Sequence, residues 1–270
     1  MTKDKPVKHR VIYCNCSHTQ LVDEAAGREV LSALAASGLD IVAAADLCGL
    51  AALCPERLRE AARAERLTVI ACQGRAVRWL LRFAGVQLDG LNVEFVNMRA
   101  EKASAIVDRL LAGRPAQAAE ARQWDLAPDG SWMPWFPVID YDRCSTCKQC
   151  LSFCPFGVYE LSPEGSVAVA NPQNCKNNCP ACARICPQGA IMFPKSADER
   201  TAGADVEAAR PAAGAAELEK TLGSGDLHAI LAERRRRLRG SMGAAGCGDN
   251  CDCRSTGRKK AKPPSGAPER

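Results

Sequence analysis

Through residues 1–113, short apolar runs rich in β-branched residues alternate with longer stretches in which apolar positions recur at helical spacing. The runs RVIYC (10–14), IVAAADL (41–47), LTVIAC (67–72) and NVEFVN (92–97) have the length and composition of strands. Between and after them, the apolar period predicts helices over 23–37, 54–65, 74–85 and 101–112. Gly38 and Gly113 fall where helix C-caps are expected, and Pro55 suits a first helical turn, where its missing N–H is not needed. Strands and helices alternating over short connections predict an α/β domain, a parallel sheet flanked by helices, over 1–113.

Beyond 113 the pattern changes. Residues 114–137 (RPAQAAEARQWDLAPDGSWMPWFP) hold Trp124, Trp132 and Trp135 and read as a Trp-rich linker, either an apolar strap between domains or a partner-binding patch. Residues 138–195 are short-spaced and dense in cysteine. Residues 196–216 are Ala, Gly, Glu and Asp without strong periodicity, which predicts a flexible linker. In 217–240, Asp226 is placed to cap a basic helix whose apolar stripe is Leu227, Ile230, Leu231 and Leu238. A partly disordered basic tail over 241–270 contains Cys247, Cys251 and Cys253, three thiols that fall one short of a closed metal site.

Charge and cysteine usage narrow the class. The formal net charge of +5 belongs to the tail, where residues 233–270 carry eleven basic against four acidic side chains. MTKDKPVKHRVIYCNC has too short an apolar stretch for a signal peptide, so sixteen cysteines point to thiol chemistry in a reducing cytoplasm rather than to disulfides. No run approaches the roughly 18–20 apolar residues of a membrane span, and membrane insertion is not expected.

Cys144, Cys147, Cys150 and Cys154 form C-x2-C-x2-C-x3-C-P, and Cys175, Cys179, Cys182 and Cys186 form C-x3-C-x2-C-x3-C-P. The last three cysteines of the runs are displaced by 32 residues, and each run closes with Cys-Pro followed by a glycine, Gly157 or Gly189. Residues 138–195 resemble bacterial-type two-cluster ferredoxins. The resemblance implies a small α+β, ferredoxin-like unit of hairpins and short helices passing one electron at a time. Because the fourth cysteine of each run ligates the other cluster, it also implies two [4Fe-4S] clusters. Cys144, Cys147, Cys150 and Cys186 would hold one, and Cys175, Cys179, Cys182 and Cys154 the other. Paired C-x2-C motifs also suit tetrahedral zinc, but two repeated runs both closed by Cys-Pro favour the cubes.

The predicted strand ends place Cys14, Cys16, Cys48 and Cys72 at the carboxyl edge of the sheet, where open α/β sheets hold ligands, with Cys54 nearby. Buried thiols acting as small hydrophobes, or a redox-active thiol pair, are the other readings of these residues. YCNC, the LC of DLCGLA, VIACQ and FVNMR together resemble the N-terminal region of the heterodisulfide reductase A subunit family over about 9–100. In that family the region precedes a flavin domain and can hold a further [4Fe-4S] cluster. The resemblance therefore implies a third cluster on Cys14, Cys16, Cys48 and Cys72. The family's additional cysteine beyond the NMR-like stretch is replaced here by Ala100-Glu101-Lys102-Ala103, which leaves the fourth ligand open. No G-x-G-x-x-G turn lies between 100 and 140 or after 195, so FAD is not expected in this chain.

These readings converge on an iron-sulfur electron-transfer protein. It would relay electrons between a separate flavoprotein or hydrogenase and a reductase of heterodisulfide-reductase type. His9, His18 and His228 are scattered and form no triad, so independent catalysis is not expected. The rival is a redox sensor or adaptor whose basic tail binds an acidic partner or nucleic acid. No DNA-reading motif accompanies that tail, and nucleic acid is not the expected partner. A third option makes the N-terminal thiols the site of a disulfide reductase subunit.

Overall fold

The structure, a computed structural model, describes residues 7–19, 21–112, 121–124 and 132–204. The expected C-cap at Gly113, the basic helix at 217–240 and Cys247, Cys251 and Cys253 lie outside the described residues.

The N-terminal part is a five-stranded sheet with every pairing parallel. Its strands are β1 (Val7–Cys14), β2 (Asp40–Ala44), β3 (Ala64–Ala71), β4 (Asn92–Asn97) and β5 (Ala121–Trp124), in the order β4-β3-β1-β2-β5. Successive side chains of a strand point to opposite faces. Val11 and Tyr13 accordingly pack with α1 (Glu24–Ala35) and α5 (Ala103–Leu111), through Val30, Leu34, Ile106 and Leu110. Ile12 and Cys14 face the other layer, α2 (Leu47–Leu53), α3 (Pro55–Ala61) and α4 (Gly74–Phe83), through Leu50, Leu58 and Leu80. Apolar burial on both faces is what a central parallel strand requires. Asp23 caps α1, its carboxylate accepting from the Ala26 N–H at 2.8 Å. Tyr13 donates to the Gly27 carbonyl at 3.1 Å, and a Cβ on Gly27 would lie 2.9 Å from that hydroxyl.

Two elements depart from the expectation. The run 41–47 is not one strand: β2 ends at Ala44 and Asp46 starts a new helix, accepting from the Gly49 N–H at 2.9 Å. Strand end and helix are both buried, and the one polar residue between them, Asp46, is buried with them. Pro55 does open a helix, but Cys54 separates it from α2. In addition, residues 121–124 of the expected linker add β5 beside β2. Four residues, ARQW, are too few to display an alternation.

The cysteine-rich part repeats itself. The helix α6 (Gln149–Phe153) recurs as α7 (Ala181–Ile185), and the strands β6 (Val138–Ile139) and β9 (Ile191–Met192) pair antiparallel. A hairpin of β7 (Tyr159–Leu161) and β8 (Val167–Val169) lies between the two halves. Backbone conformation repeats too. Thr146 (φ 56°) matches Asn178 (φ 57°), and Gly157 (φ 65°) matches Gly189 (φ 56°). Left-handed backbone explains the glycine two residues after each Cys-Pro run.

The two parts share one core. Phe136, Val138 and Met192 join the α2–α4 face of the sheet. Trp132 stacks on Phe136, and Phe136 lies against Phe83 of α4, with centroids 6.1 and 5.4 Å apart. Trp135 stacks on Phe193 at 5.2 Å. Trp132 and Trp135 thus pack between the two parts, while the side chain of Trp124 lies outside the described residues. Polar contacts pin the same interface. Arg75 donates to Asp140 and to the Gly189 carbonyl, both at 2.6 Å, and Arg99 donates to the carbonyls of Ser196 and Ala197. Where a flexible linker was expected after 195, Asp198 caps α8 (Glu199–Ala202), whose Ala202 is fully buried. Among the described residues no helix is long and apolar enough to cross a membrane.

Candidate metal centres

The ligand loops of the cysteine-rich part bring the thiols together crosswise. Cys144, Cys147, Cys150 and Cys186 line one cavity with Ile139 and Ile191. Cys154, Cys175, Cys179 and Cys182 line a second with Phe153, Phe156 and Tyr159. Each set combines three sulfurs of one run with the last sulfur of the other. Helices α6 and α7 are each preceded by a left-handed turn, and Cys150 and Cys182 sit one residue inside them. Among the described residues no three such side chains close into a shell for a single metal ion; the thiols surround the two cavities instead.

The chemistry of these walls fits clustered iron and sulfur. Burial pushes the Cys150 and Cys182 thiols up to about 11 and Cys175 to about 12, with neighbouring thiols adding to the rise for each. The neighbouring thiols fall within one set for Cys150, namely Cys186 and Cys144, and for Cys175, namely Cys182, Cys154 and Cys179, while Cys182 also neighbours Cys150 of the other set. Cationic iron removes the penalty of deprotonating such thiols, because a coordinating thiol loses its proton outright. The buried Tyr159 hydroxyl makes no hydrogen bond of good geometry, its nearest polar neighbour being the Cys182 thiol, and its ionisation is suppressed by burial and then by Cys182. A buried donor with so poor a partner calls for a better acceptor, which a deprotonated, ligated sulfur can supply. At the first cavity the Ala190 N–H already donates to Cys186 Sγ at 3.3 Å.

The N-terminal thiols also assemble. The chain leaves β1 for β2 on one side and returns to β3 on the other, so the strand order reverses between β1 and β3. Cys14 ends β1 and Cys72 follows β3, at the carboxyl edge of that switch point, where open α/β sheets bind ligands. Cys48 enters from the first turn of α2, and Cys16 is held in a left-handed conformation with φ 51°. Cys16 is a charged neighbour of Cys14, Cys48 and Cys72 alike. Cys14, Cys16 and Cys48 are buried and Cys72 half-buried, while Cys54 packs at the margin of the same core. The hydrogen bond between Cys14 and Cys16 raises the first thiol and lowers the second, which Lys195 and Thr19 lower further. Burial raises Cys48, and lifts Cys72 to about 11.

Lys195, from the cysteine-rich part, reaches into this site and pairs with Asp46; the two side chains are 2% and 1% exposed. His18 Nδ1 stands 3.5 Å from the same carboxylate. Sequence reasoning passed over Lys195 and Asp46, since an isolated lysine in FPKS and an acid in AADL carry no local signal of burial.

Residues 136–207 match the model of the 4Fe-4S dicluster domain. Relatives include an uncharacterised ferredoxin of Methanocaldococcus jannaschii, 49% identical over 61 residues, covering 22% of this chain and 41% of the relative. Pyruvate synthase subunit PorD of Methanothermobacter marburgensis is 37% identical over 64 residues, 24% of this chain and 72% of the relative. Thiosulfate reductase electron transfer subunit PhsB of Salmonella typhi is 35% identical over 60 residues, 20% of this chain and 31% of the relative. The chain thus spans less than half the length of the first and third, and most of the second. With paired four-cysteine cavities on one side and these matches on the other, the chain belongs to the 4Fe-4S dicluster domain family, carrying that domain on residues 136–207.

Proposed function

We propose that this chain is the electron-carrying component of an oxidoreductase system, relaying single electrons through two [4Fe-4S] clusters. Cys144, Cys147, Cys150 and Cys186 hold the first, and Cys154, Cys175, Cys179 and Cys182 the second. The observation that carries the reading is the crosswise assembly of the thiols around two separate cavities. The clusters supply reversible one-electron storage. The protein fixes the sulfurs on two symmetry-related loops, surrounds them with apolar side chains, and directs the Ala190 N–H and the Tyr159 hydroxyl to their neighbourhood. The relatives named for pyruvate synthase and thiosulfate reductase are subunits of larger enzymes, which supports a role beside a separate flavoprotein or hydrogenase and a reductase. Resemblance of the first hundred residues to heterodisulfide reductase A favours a reductase of that type.

A third cluster is assigned to Cys14, Cys16, Cys48 and Cys72. Convergence of four sulfurs at the switch point supports it, as does Lys195, whose ammonium offsets anionic charge there.

Iron and acid-labile sulfide are measured on anaerobically prepared full-length protein and on Cys186→Ser and Cys14→Ser variants. Three clusters give about twelve iron per chain, falling to about eight in either variant. A wild-type value of about eight that Cys14→Ser leaves unchanged removes the third cluster. Fewer than about six removes the two-cluster reading.

A further inference from the structure

A third cavity lies apart from the thiols, between the end of α4 with its following turn and the strands of the dicluster domain. It has a volume of about 490 Å³. Trp79, Phe83 and Tyr141 line it, and Arg82, Gln87 and Asp89 provide its polar groups. The size, the aromatic walls and the few polar groups are those of a small-molecule site. Tyr141 meets Trp79 edge to face at 5.5 Å and is itself 45% exposed. The guanidinium of Arg82 lies 5.0 Å over the Trp79 ring and donates to Asp89 at 2.7 Å.

Its position gives it a use. Ile139 lines both this cavity and the one containing Cys144, Cys147, Cys150 and Cys186. Tyr141 has Cys144 and Cys150 as neighbours, and it donates to the carbonyl of Val167, a residue of the thiol cavity's wall. A single layer of side chains therefore separates the aromatic cavity from the first set of four sulfurs. A ligand there must be flat to lie among aromatic rings, and must release electrons singly to serve a one-electron centre. Nicotinamides transfer hydride and do not qualify. A quinone presents only acceptors and its reduced quinol carries hydroxyls at opposite ends of the ring, whereas this wall sets the Asp89 carboxylate directly beside the Arg82 guanidinium, with Gln87 near them. The isoalloxazine ring carries an N–H between two carbonyls and matches both.

We propose that this cavity is an electron-entry port that receives the isoalloxazine ring of a reduced flavin. The anionic reduced flavin loses two electrons, one at a time, and releases one proton to solvent, becoming oxidised flavin. Each electron reduces one of the two clusters. The electron-transfer half of the proposal rests on the two-cluster reading; the binding half does not.

The test titrates FMN into full-length protein and follows quenching of flavin fluorescence, which needs no cluster. Saturable quenching is expected. Tyr141→Leu weakens it roughly tenfold, the scale of one lost stacking contact. Ala168→Phe, a half-exposed strand position on the cavity wall, fills the space and abolishes it while iron content stays unchanged. Equal quenching by wild type and Ala168→Phe overturns the site, and 1,4-naphthoquinone binding as tightly as FMN overturns the flavin assignment. Reduced FMN, free or held in a flavodoxin, is then mixed anaerobically with iron-loaded protein. Bleaching by the free form assigns a diffusing carrier, and bleaching by the flavodoxin alone assigns a docked flavoprotein. FMN binding without bleaching in either arm overturns the port. A low iron count counts against the clusters and leaves the quenching titration valid.

Discussion

Replacing Lys195 with methionine removes the ammonium from a pair in which both side chains are almost completely buried, 2% and 1% exposed. Asp46 then keeps the Gly49 N–H at 2.9 Å and His18 at 3.5 Å, but loses its direct cation. Leaving one member of a buried pair uncompensated costs about 3–5 kcal/mol. In a folded body of this size each kcal/mol lowers the thermal midpoint by about 2–4 °C, so Lys195→Met should fall by roughly 6–20 °C. The partner variant sharpens the test. Asp46→Asn keeps an oxygen for the helix cap and removes the charge, so Lys195→Met/Asp46→Asn should recover most of the loss. The assay is anaerobic thermal unfolding at one scan rate, followed by far-ultraviolet circular dichroism, with iron content measured beforehand on each variant. A shift below about 2 °C for Lys195→Met would refute the reasoning, because an uncompensated buried carboxylate costs more than that. So would a double variant as unstable as the single one.

Other outcomes follow from particular contacts. Under the proposed crosswise ligation, Cys154→Ser should deplete the cluster assigned to Cys175, Cys179 and Cys182, leaving the signal of the other by electron paramagnetic resonance; loss of the cluster nearest Cys144 instead would reverse the assignment. Gly203→Ala places a Cβ 2.7 Å from Met192 Sδ and 3.0 Å from the Ala76 Cβ, at a φ of 94°. It should destabilise by about 1–3 kcal/mol, read as a lower unfolding midpoint, since both overpacking and left-handed strain act there. Arg75→Met removes both donors from α4 to Asp140 and Gly189, leaving a buried carboxylate whose other cation, Arg143, stands at 3.6 Å. Limited proteolysis should then cleave near 132–140 faster than in wild type, and an unchanged rate would show that the shared apolar core alone holds the two parts together.

How far the sequence foretells this arrangement depends on the range of the interaction involved. Strands β1, β3 and β4 carry their own apolar pattern, and the cysteine runs carry the 32-residue repeat that the backbone reproduces at Thr146 and Asn178. Grouping at the sheet edge was legible as well, because Cys14 and Cys72 lie at strand ends. Elements defined by what lies across from them were not. β5 is a strand because β2 offers an open edge, and α8 ends at Gly203, which sits close against Met192 and Ala76. Asp46 and Lys195 are 149 residues apart and acquire their pairing from the fold alone. The aromatic cavity is equally non-local, since Trp79 and Tyr141 come from parts with separate sequence patterns.

The same non-local contacts decide what kind of electron carrier this is. A dicluster domain on a tether would sample many positions, and its distance to the thiols of the α/β part would vary. Here the domain is fastened at both ends of its repeat, by Phe136 and Val138 at the start and by Met192, Lys195 and Gly203 at the finish. Fastening leaves the ligand loops outward: Cys147 is exposed, and Phe153 and Phe156, on the wall of the second thiol cavity, are 52% and 39% exposed. The aromatic cavity instead opens where the two parts meet, beside the first thiol set. On the proposed reading, electrons enter beside the first thiol cavity and leave at the loops around the second. That separation is what a relay needs, because a donor seated at Trp79 and Tyr141 leaves the loops around Phe153 free for an acceptor.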